Sequence, residues 1–178
     1  LLYRHISIQQ MTTLAEDRNV AMAQVFENSL GPSLLSLINN TAGRDAESLR
    51  VAVAAQELRA KTIALMHGTA VIKIKVYNRL GVTVFSTDAS QIGESKLGNA
   101  GFKGAISSVV TSELTHRDNI DSFEETRSNV DVLSSYIPIV GEGKAVDGVF
   151  ELYQDVSPFM ASLNQALWWV TAGVVTVL

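Results

Sequence analysis

At Gly68 the apolar rhythm of this chain changes. Upstream, apolar residues recur at steps of three and four, as along one face of a helix; downstream, Ile72-Lys-Ile-Lys-Val-Tyr77 alternates strictly, as along a strand. A chain that is helical before this point and extended after it buries its apolar positions by laying the helices on a sheet. In the helical part, residues 1 to about 40 carry Ile6, Met11, Leu14, Ala21, Met22 and Val25 at helical steps, with Gln9, Gln10, Glu16, Asp17 and Arg18 between them. So narrow a stripe suits pairing with a copy of itself as well as packing on its own domain. Pro32 lacks a backbone donor and predicts a kink or restart. Gly43-Arg44-Asp45 predicts a stop, and Ala46 to about Met66 a second helix, with Leu49, Leu58 and Ile63 among its apolar positions.

In the extended part, Asn78-Arg-Leu-Gly81 offers turn chemistry and Val82-Thr-Val-Phe-Ser86 resumes as a strand, which together predict a β-hairpin. Asn99 is placed to cap a short helix from Gly101 to about Val110, with Phe102, Ile106, Val109 and Val110 as its buried side. Residues 112–117 read as an edge strand, and the polar run 118–129 as a mobile connection. Val130 to Val140 and Val146 to Asp155 read as strands joined through Gly141-Glu-Gly143, and Pro158 opens a last helix. The result is an α+β sandwich: a mostly antiparallel five-stranded sheet with long helices on one face.

The two ends carry a further expectation. Residues 166–178 contain no charged side chain, and Trp168 and Trp169 stand where an aromatic belt marks a membrane interface. This run reads as the start of a transmembrane span, and Leu1-Leu2-Tyr3-Arg4 as the exit of a preceding one. The expected division is a membrane-proximal signalling and dimerisation helix over 1–40, a sensor domain over 41–157, and a C-terminal helix entering the membrane over 158–178.

These patterns resemble a known family. Val76-Tyr-Asn-Arg-Leu-Gly-Val-Thr-Val-Phe-Ser-Thr-Asp88 followed by Ile92-Gly93, then Asp131-Val-Leu-Ser-Ser-Tyr-Ile-Pro138 and Gly148-Val-Phe-Glu-Leu-Tyr-Gln-Asp155, are similar to the extracytoplasmic Cache (PDC, PAS-like) sensor domains of bacterial transmembrane receptors. The resemblance spans the whole chain in layout and about residues 70 to 157 in motif. It implies a PAS-like sheet in strand order 2-1-5-4-3, a ligand pocket on the sheet face away from the long helix, and parallel homodimers. It also implies a place on the periplasmic side of the bacterial inner membrane, between spans leading to a histidine kinase or a diguanylate cyclase. The Tyr–Arg–Trp–Tyr–Asp set of the amino-acid-binding subgroup is absent, as is the arginine pair of dicarboxylate binders.

Alternation sorts the sheet faces. Ile72, Ile74 and Val76 point one way and Lys73, Lys75 and Tyr77 the other; Leu133, Ile137 and Ile139 oppose Ser134 and Tyr136; Phe150 and Leu152 oppose Glu151 and Tyr153. With the strand order implied by the resemblance, Lys73, Lys75, Tyr77, Ser134, Tyr136, Glu151 and Tyr153 gather on one face. Two ammonium groups, three phenols and a carboxylate in a cleft suit a small anionic or zwitterionic ligand. The alternative is a solvated face on which Lys75 and Glu151 merely pair across strands. Phe102, Lys103 and Arg117 are candidates to roof such a pocket.

Other chemistries find little to work with. Net charge is −4 with no Lys/Arg run, so no nucleic-acid partner is expected. There is no cysteine, and His5, His67 and His116 form no ligand-spaced pair, so neither a metal nor a cofactor is expected. The acidic residues Asp118, Asp121, Glu124 and Glu125 lack the glycine-centred turn of a calcium loop. No Gly-x-Ser-x-Gly or phosphate-cradling glycine loop occurs, and the segment is not expected to be an enzyme. The expected role is ligand sensing, with a ligand-free dimerisation or protein-recruiting module as the alternative.

Overall fold

The computed structural model describes residues 2–41, 46–51, 53–141 and 143–175. The predicted stop at Gly43-Arg44-Asp45, Glu142 of the turn and residues 176–178 lie outside them. The chain runs α1 (Leu2–Asn39), α2 (Ala46–Val51), α3 (Val53–Met66), β1 (Val71–Asn78), β2 (Thr83–Ser86), α4 (Ala100–Ile106), β3 (Thr111–Asp121), β4 (Thr126–Val140), β5 (Val146–Asp155) and α5 (Ser157–Val175). The strands form one antiparallel sheet in the order β2-β1-β5-β4-β3, the order the resemblance implies.

One sheet face carries the main core. Phe26, Leu30, Leu34 and Ile38 of α1 and Leu58 and Met66 of α3 pack on Ile74, Val76, Phe85, Ile137, Phe150 and Leu152. Along α1 the buried row is Met11, Ala15, Asn19, Ala23, Phe26, Leu30 and Leu34. Ile6, Leu14 and Val25 of the sequence-read stripe stay exposed. The buried row steps through small and polar residues that hydropathy passes over, and small side chains let a helix approach a sheet closely. Near the lower end of the same face, Met11, Ala15, Leu133, Val156 and Met160 join α1 to α5.

Helix α1 runs through Pro32 without restarting. Proline costs a helix the bond to the carbonyl four residues back. Here Pro32 and Asn28 both lie on the exposed side, where water can satisfy that carbonyl, while buried Leu30, Leu34 and Leu37 hold both flanks on the core.

Three other expectations are corrected. Residues 118–129 are not a mobile connection: β3 and β4 form a long hairpin with Asn119 opposite Ser128, Ile120 opposite Arg127 and Asp121 opposite Thr126. A polar sequence is compatible with an edge hairpin because its faces meet water, and buried Ile120 anchors it against Ile72, Val130, Val132 and Tyr153. Its turn is fixed by Ser122 Oγ, which donates to the Glu125 carbonyl at 2.6 Å and accepts from the Glu125 N–H at 3.1 Å. Second, Ile72 does not share the face of Ile74 and Val76. A bulge between Val71 and Lys73 interrupts the β1–β5 register, and a bulge resets the alternation, so Val71 joins the main core and Ile72 the Tyr153 cluster. Third, α4 ends at Ile106 rather than near Val110, because Ser108 takes a left-handed backbone (φ 67°) and Val109 is exposed. Its start is as expected, with Asn99 Oδ1 accepting from the Phe102 N–H at 2.9 Å.

Helix α5 begins with Ser157, whose N–H donates to Asp155 Oδ1 at 2.9 Å. Among the described residues no helix is long and apolar enough to cross a membrane; Trp168 and Trp169 are exposed on α5.

Candidate functional site

The second sheet face is where sequence alternation placed the polar residues. Register puts Lys73 opposite Tyr153, Lys75 opposite Glu151, Ser134 opposite Tyr153 and Tyr136 opposite Glu151, with Tyr77 one pair further along β1. All seven are buried: none of Lys73, Lys75, Tyr77, Ser134, Tyr136, Glu151 and Tyr153 exceeds 7% exposure. The face is therefore not a solvated one. It divides into a closed half and an open half.

The closed half lies under α4. Phe102 packs edge-on against Tyr77, ring centroids 5.9 Å apart, and Tyr77, Phe102, Ala105, Tyr136 and Val149 form one buried cluster. Gly101 lies directly on the Tyr136 ring, where even a single methyl group would collide with the ring carbons. Beneath this cover Glu151 is 2% exposed. Its carboxylate accepts a short hydrogen bond from Tyr77 Oη, and its charge also bears on Tyr136, its neighbour across the strands, and on Tyr153. Burial and then the Glu151 charge hold all three phenols far above their usual range, so they remain protonated donors.

The open half is a cleft of about 260 Å³. Its floor is Lys73, Lys75 and Tyr153; one wall is Arg117, Asn119 and Asp121 of β3, and the other is Gln91, Glu94 and Lys96 of the segment after β2. That segment is laid along β2 by backbone hydrogen bonds: Gly93 N–H to the Thr83 carbonyl at 2.8 Å, Thr83 N–H to the Glu94 carbonyl at 2.8 Å, and Lys96 N–H to the Gly81 carbonyl at 2.7 Å. Gly93 makes the turn with φ 93°, a value that L side chains rarely adopt.

Both floor lysines have only loose partners. Lys73 Nζ stands 3.6 Å from Asp88 Oδ2 and 3.3 Å from Gln91 Oε1; Lys75 Nζ is 3.5 Å from Glu94 Oε2, whose side chain is half exposed. Burial lowers the Lys75 pKa, partly offset by the charges of Glu151 and Glu94, while Lys96 and Lys73 add to the lowering. Among the described residues neither Lys96 nor Arg117 forms an ion pair. Four cations and two carboxylates, Glu94 and Asp121, thus line one small space. An arriving carboxylate would find donors on three sides of it and would favour the charged form of Lys75.

Lys73, Lys75 and Tyr153 line this cleft, whereas Tyr77, Ser134, Tyr136 and Glu151 do not. Of the suggested roof residues, Arg117 is in the wall, Phe102 seals the closed half, and Lys103 is exposed away from both. Sequence reading missed Gln91, Glu94, Lys96, Asn119 and Asp121. Asp88, which caps the short turn Ala89–Gln91 by accepting from the Ser90 N–H, and Gly93 were the signals that this segment folds back.

No protein-family model and no curated protein matches the sequence. Among solved structures the chain is similar to the sensor domain of E. coli DcuS, with TM-score 0.50 and 14% identity over 85% of this chain and 98% of that one. It is also similar to the sensor domain of the V. cholerae histidine kinase DctB (TM-score 0.46, 14% identity, 88% of this chain and 58% of that). A third is the periplasmic domain of RsbU from Chlamydia trachomatis (TM-score 0.46, 16% identity, 88% and 58%). The chain spans just over half the length of the last two. Identities this low speak to the fold and not to the ligand. With its long N-terminal helix, its strand order and its overlap with the DcuS domain, the chain has the fold of an extracytoplasmic Cache (PDC, PAS-like) sensor domain.

Proposed function

We propose that this chain is the periplasmic ligand-sensing segment of a membrane-bound bacterial signalling receptor, and that the cationic cleft binds a small anionic or zwitterionic molecule. The observation that carries the proposal is a pair of buried lysines, Lys73 and Lys75, with only loose internal partners and facing a cleft that also holds Lys96 and Arg117. A purely structural lysine is rarely buried without a close carboxylate. The parent receptor carries a histidine kinase or a diguanylate cyclase as its cytoplasmic output. In this reading 1–40 is the membrane-proximal signalling and dimerisation segment, 41–157 the sensor, and 158–178 the C-terminal segment that includes the start of a span. A ligand acts by favouring one arrangement of sensor and helices, and only by as much as its affinity differs between the two. Leu2, Tyr3 and Ile6, exposed on α1, supply the apolar surface for pairing with a second copy.

The test is a thermal-unfolding screen against small organic acids and amino acids. A ligand at a hundred times its Kd adds about 2.7 kcal/mol of stability, and the rise in Tm is expected to saturate and to vanish in Lys75→Ala. Because an anion favours the charged lysine, affinity is expected to fall as pH rises through the pKa that Lys75 has in the complex. A competing reading, a ligand-free module that sets dimer geometry, draws on Lys75–Glu94 and Lys73–Asp88 as internal pairs. It predicts no saturable shift with any compound and no difference between Lys75→Ala and the parent chain in receptor output.

A further inference from the structure

The β3–β4 hairpin reaches past the rest of the sheet. Register between β4 and β5 ends at Val132, so among the described residues 126–131 of β4 pair with β3 and no other strand. Inside this arm Asn129 takes a left-handed backbone (φ 56°), a conformation that asparagine tolerates better than most residues and that bends an extended chain. The tip then crosses the end of β5 to reach β1. Buried Ile120 packs with Ile72 and Tyr153, and the Phe123 N–H donates to the Ile72 carbonyl at 3.1 Å. Folded over in this way, the arm supplies Arg117, Asn119 and Asp121 as one wall of the cationic cleft.

The same arm holds the start of α5, and Asp155 stands between them. Its Oδ1 accepts from the Ser157 N–H at 2.9 Å, and its Oδ2 accepts from Arg127 Nη1 at 3.1 Å. One carboxylate thus caps the helix with one oxygen and holds the arm with the other. Two further ties join β4 to this corner: the Asp131 N–H donates to Ser157 Oγ and the Val156 N–H to the Asp131 carbonyl, both at 2.9 Å. Asp131 lies on the sheet side of the bend at Asn129, so of these contacts only that of Arg127 moves with the arm. A carboxylate at a helix start serves an N–H that lacks an intrahelical partner, and a cation that draws it elsewhere weakens that service. We propose, on the reading of the cationic cleft as a ligand site, that the β3–β4 arm carries occupancy of that cleft to α5, with Arg127 and Asp155 as its positioning residues. A ligand held between the Lys73–Lys75 floor and the Arg117 wall fixes the arm against β1; Arg127 shifts with the arm, and Asp155 passes the shift to the first turn of α5.

The experiment uses the full 178-residue chain, which has no cysteine of its own. Gln91→Cys and Asn119→Cys place one thiol on each wall of the cleft, and a flexible bismaleimide joins them, so that closure is imposed without a ligand. Amide hydrogen exchange at Ser157 and Met160, followed by NMR, is expected to change by about fivefold or more on linking, the scale of a lost or gained helix cap. Asp155→Asn keeps an oxygen for the Ser157 N–H but gives up the charge that pairs with Arg127, and is expected to cut the change below about twofold. Arg127→Lys, which keeps the charge, is expected to retain part of it. A second measurement needs no linker: Asn129→Val, whose branched side chain disfavours the left-handed bend, is expected to alter exchange at Ser157 in the parent chain but not in Asp155→Asn. The proposal is overturned if linking leaves both amides unchanged, if the change survives Asp155→Asn, or if Asn129→Val leaves Ser157 at its parent rate. The imposed link reads the arm whether or not an anion binds, and the thermal-unfolding screen reads the anion alone, so failure of the one is distinguishable from failure of the other.

Discussion

The two halves of one sheet face treat buried charge in opposite ways. Under α4, Glu151 accepts a hydrogen bond from Tyr77, its charge bears on Tyr136 and Tyr153, and Phe102 packs on Tyr77 above it. A few ångströms along β1 and β5, Lys73 and Lys75 are just as buried, yet their carboxylates stand at 3.5 and 3.6 Å and one of these is half exposed. A buried charge satisfied internally belongs to the fold; one paired only loosely is where the proposed ligand would bind. Reading the whole polar face as a single site misses this difference.

The comparison breaks most sharply at Glu151. Glu151→Ala removes the acceptor of the Tyr77 hydroxyl and the charge that bears on Tyr136 and Tyr153, and takes the strand-paired carboxylate from Lys75. Breaking a buried network of this kind costs about 3–5 kcal/mol, to be read from the midpoint of urea unfolding. A loss below about 1 kcal/mol would mean that the closed half is not a structural network.

Alkaline pH attacks the same network. Each of the three phenols has a folded pKa raised above the unfolded value of 10.0. Their contribution is therefore fully present below pH 10 and is lost as pH rises beyond it, by about 1.4 kcal/mol per pH unit for each tyrosine. Lys75 acts with the opposite sign. Its folded pKa lies below 10.5, so in the window beneath that value stability rises with pH, and one lysine offsets one tyrosine at most. The stability curve, followed by circular dichroism, is expected to fall steeply above pH 10 and to flatten when Tyr77 and Tyr153 are replaced by Phe.

The smallest effect belongs to the open half. Glu94→Gln removes the half-exposed carboxylate of a loose pair, worth about 0–1 kcal/mol, and is expected to leave Tm almost unchanged. Yet it takes a competing anion from Lys75, so any organic acid that binds the cleft is expected to bind the variant more tightly. Weaker binding would assign Glu94 to contact with the ligand's own cation.

How much of this was legible beforehand varies by element. The β1 alternation gave Lys73, Lys75 and Tyr77 a common face because side chains on a strand alternate whatever the surroundings. It misplaced Ile72, since a bulge is a property of two paired strands. The β3–β4 hairpin was invisible past Arg117 because polar edge strands carry no hydropathy signal, only a register. The cleft wall of Gln91, Glu94 and Lys96 was equally hidden, as it depends on backbone hydrogen bonds from Gly93 and Lys96 to β2 and the turn before it. The buried stripe of α1 was misread because Ala15, Asn19 and Ala23 face the sheet while Leu14 and Val25 face outward.

By itself the sequence determined the class of fold, the helix-to-strand switch at Gly68, the Asn99 cap and, Ile72 apart, the sorting of residues between sheet faces. These are local consequences of period, capping and turn chemistry, which act over a few residues whatever the rest of the chain does. Only the tertiary structure decided that the polar face is buried and that its acid is closed in while its bases are left open. Burial depends on which remote segments fold across the face: α4 over Tyr77, Tyr136 and Glu151, and the loop after β2 and the β3 edge around Lys73 and Lys75. The balance between desolvation and pairing at a charge is set by those neighbours, and no stretch of sequence around the charge contains them.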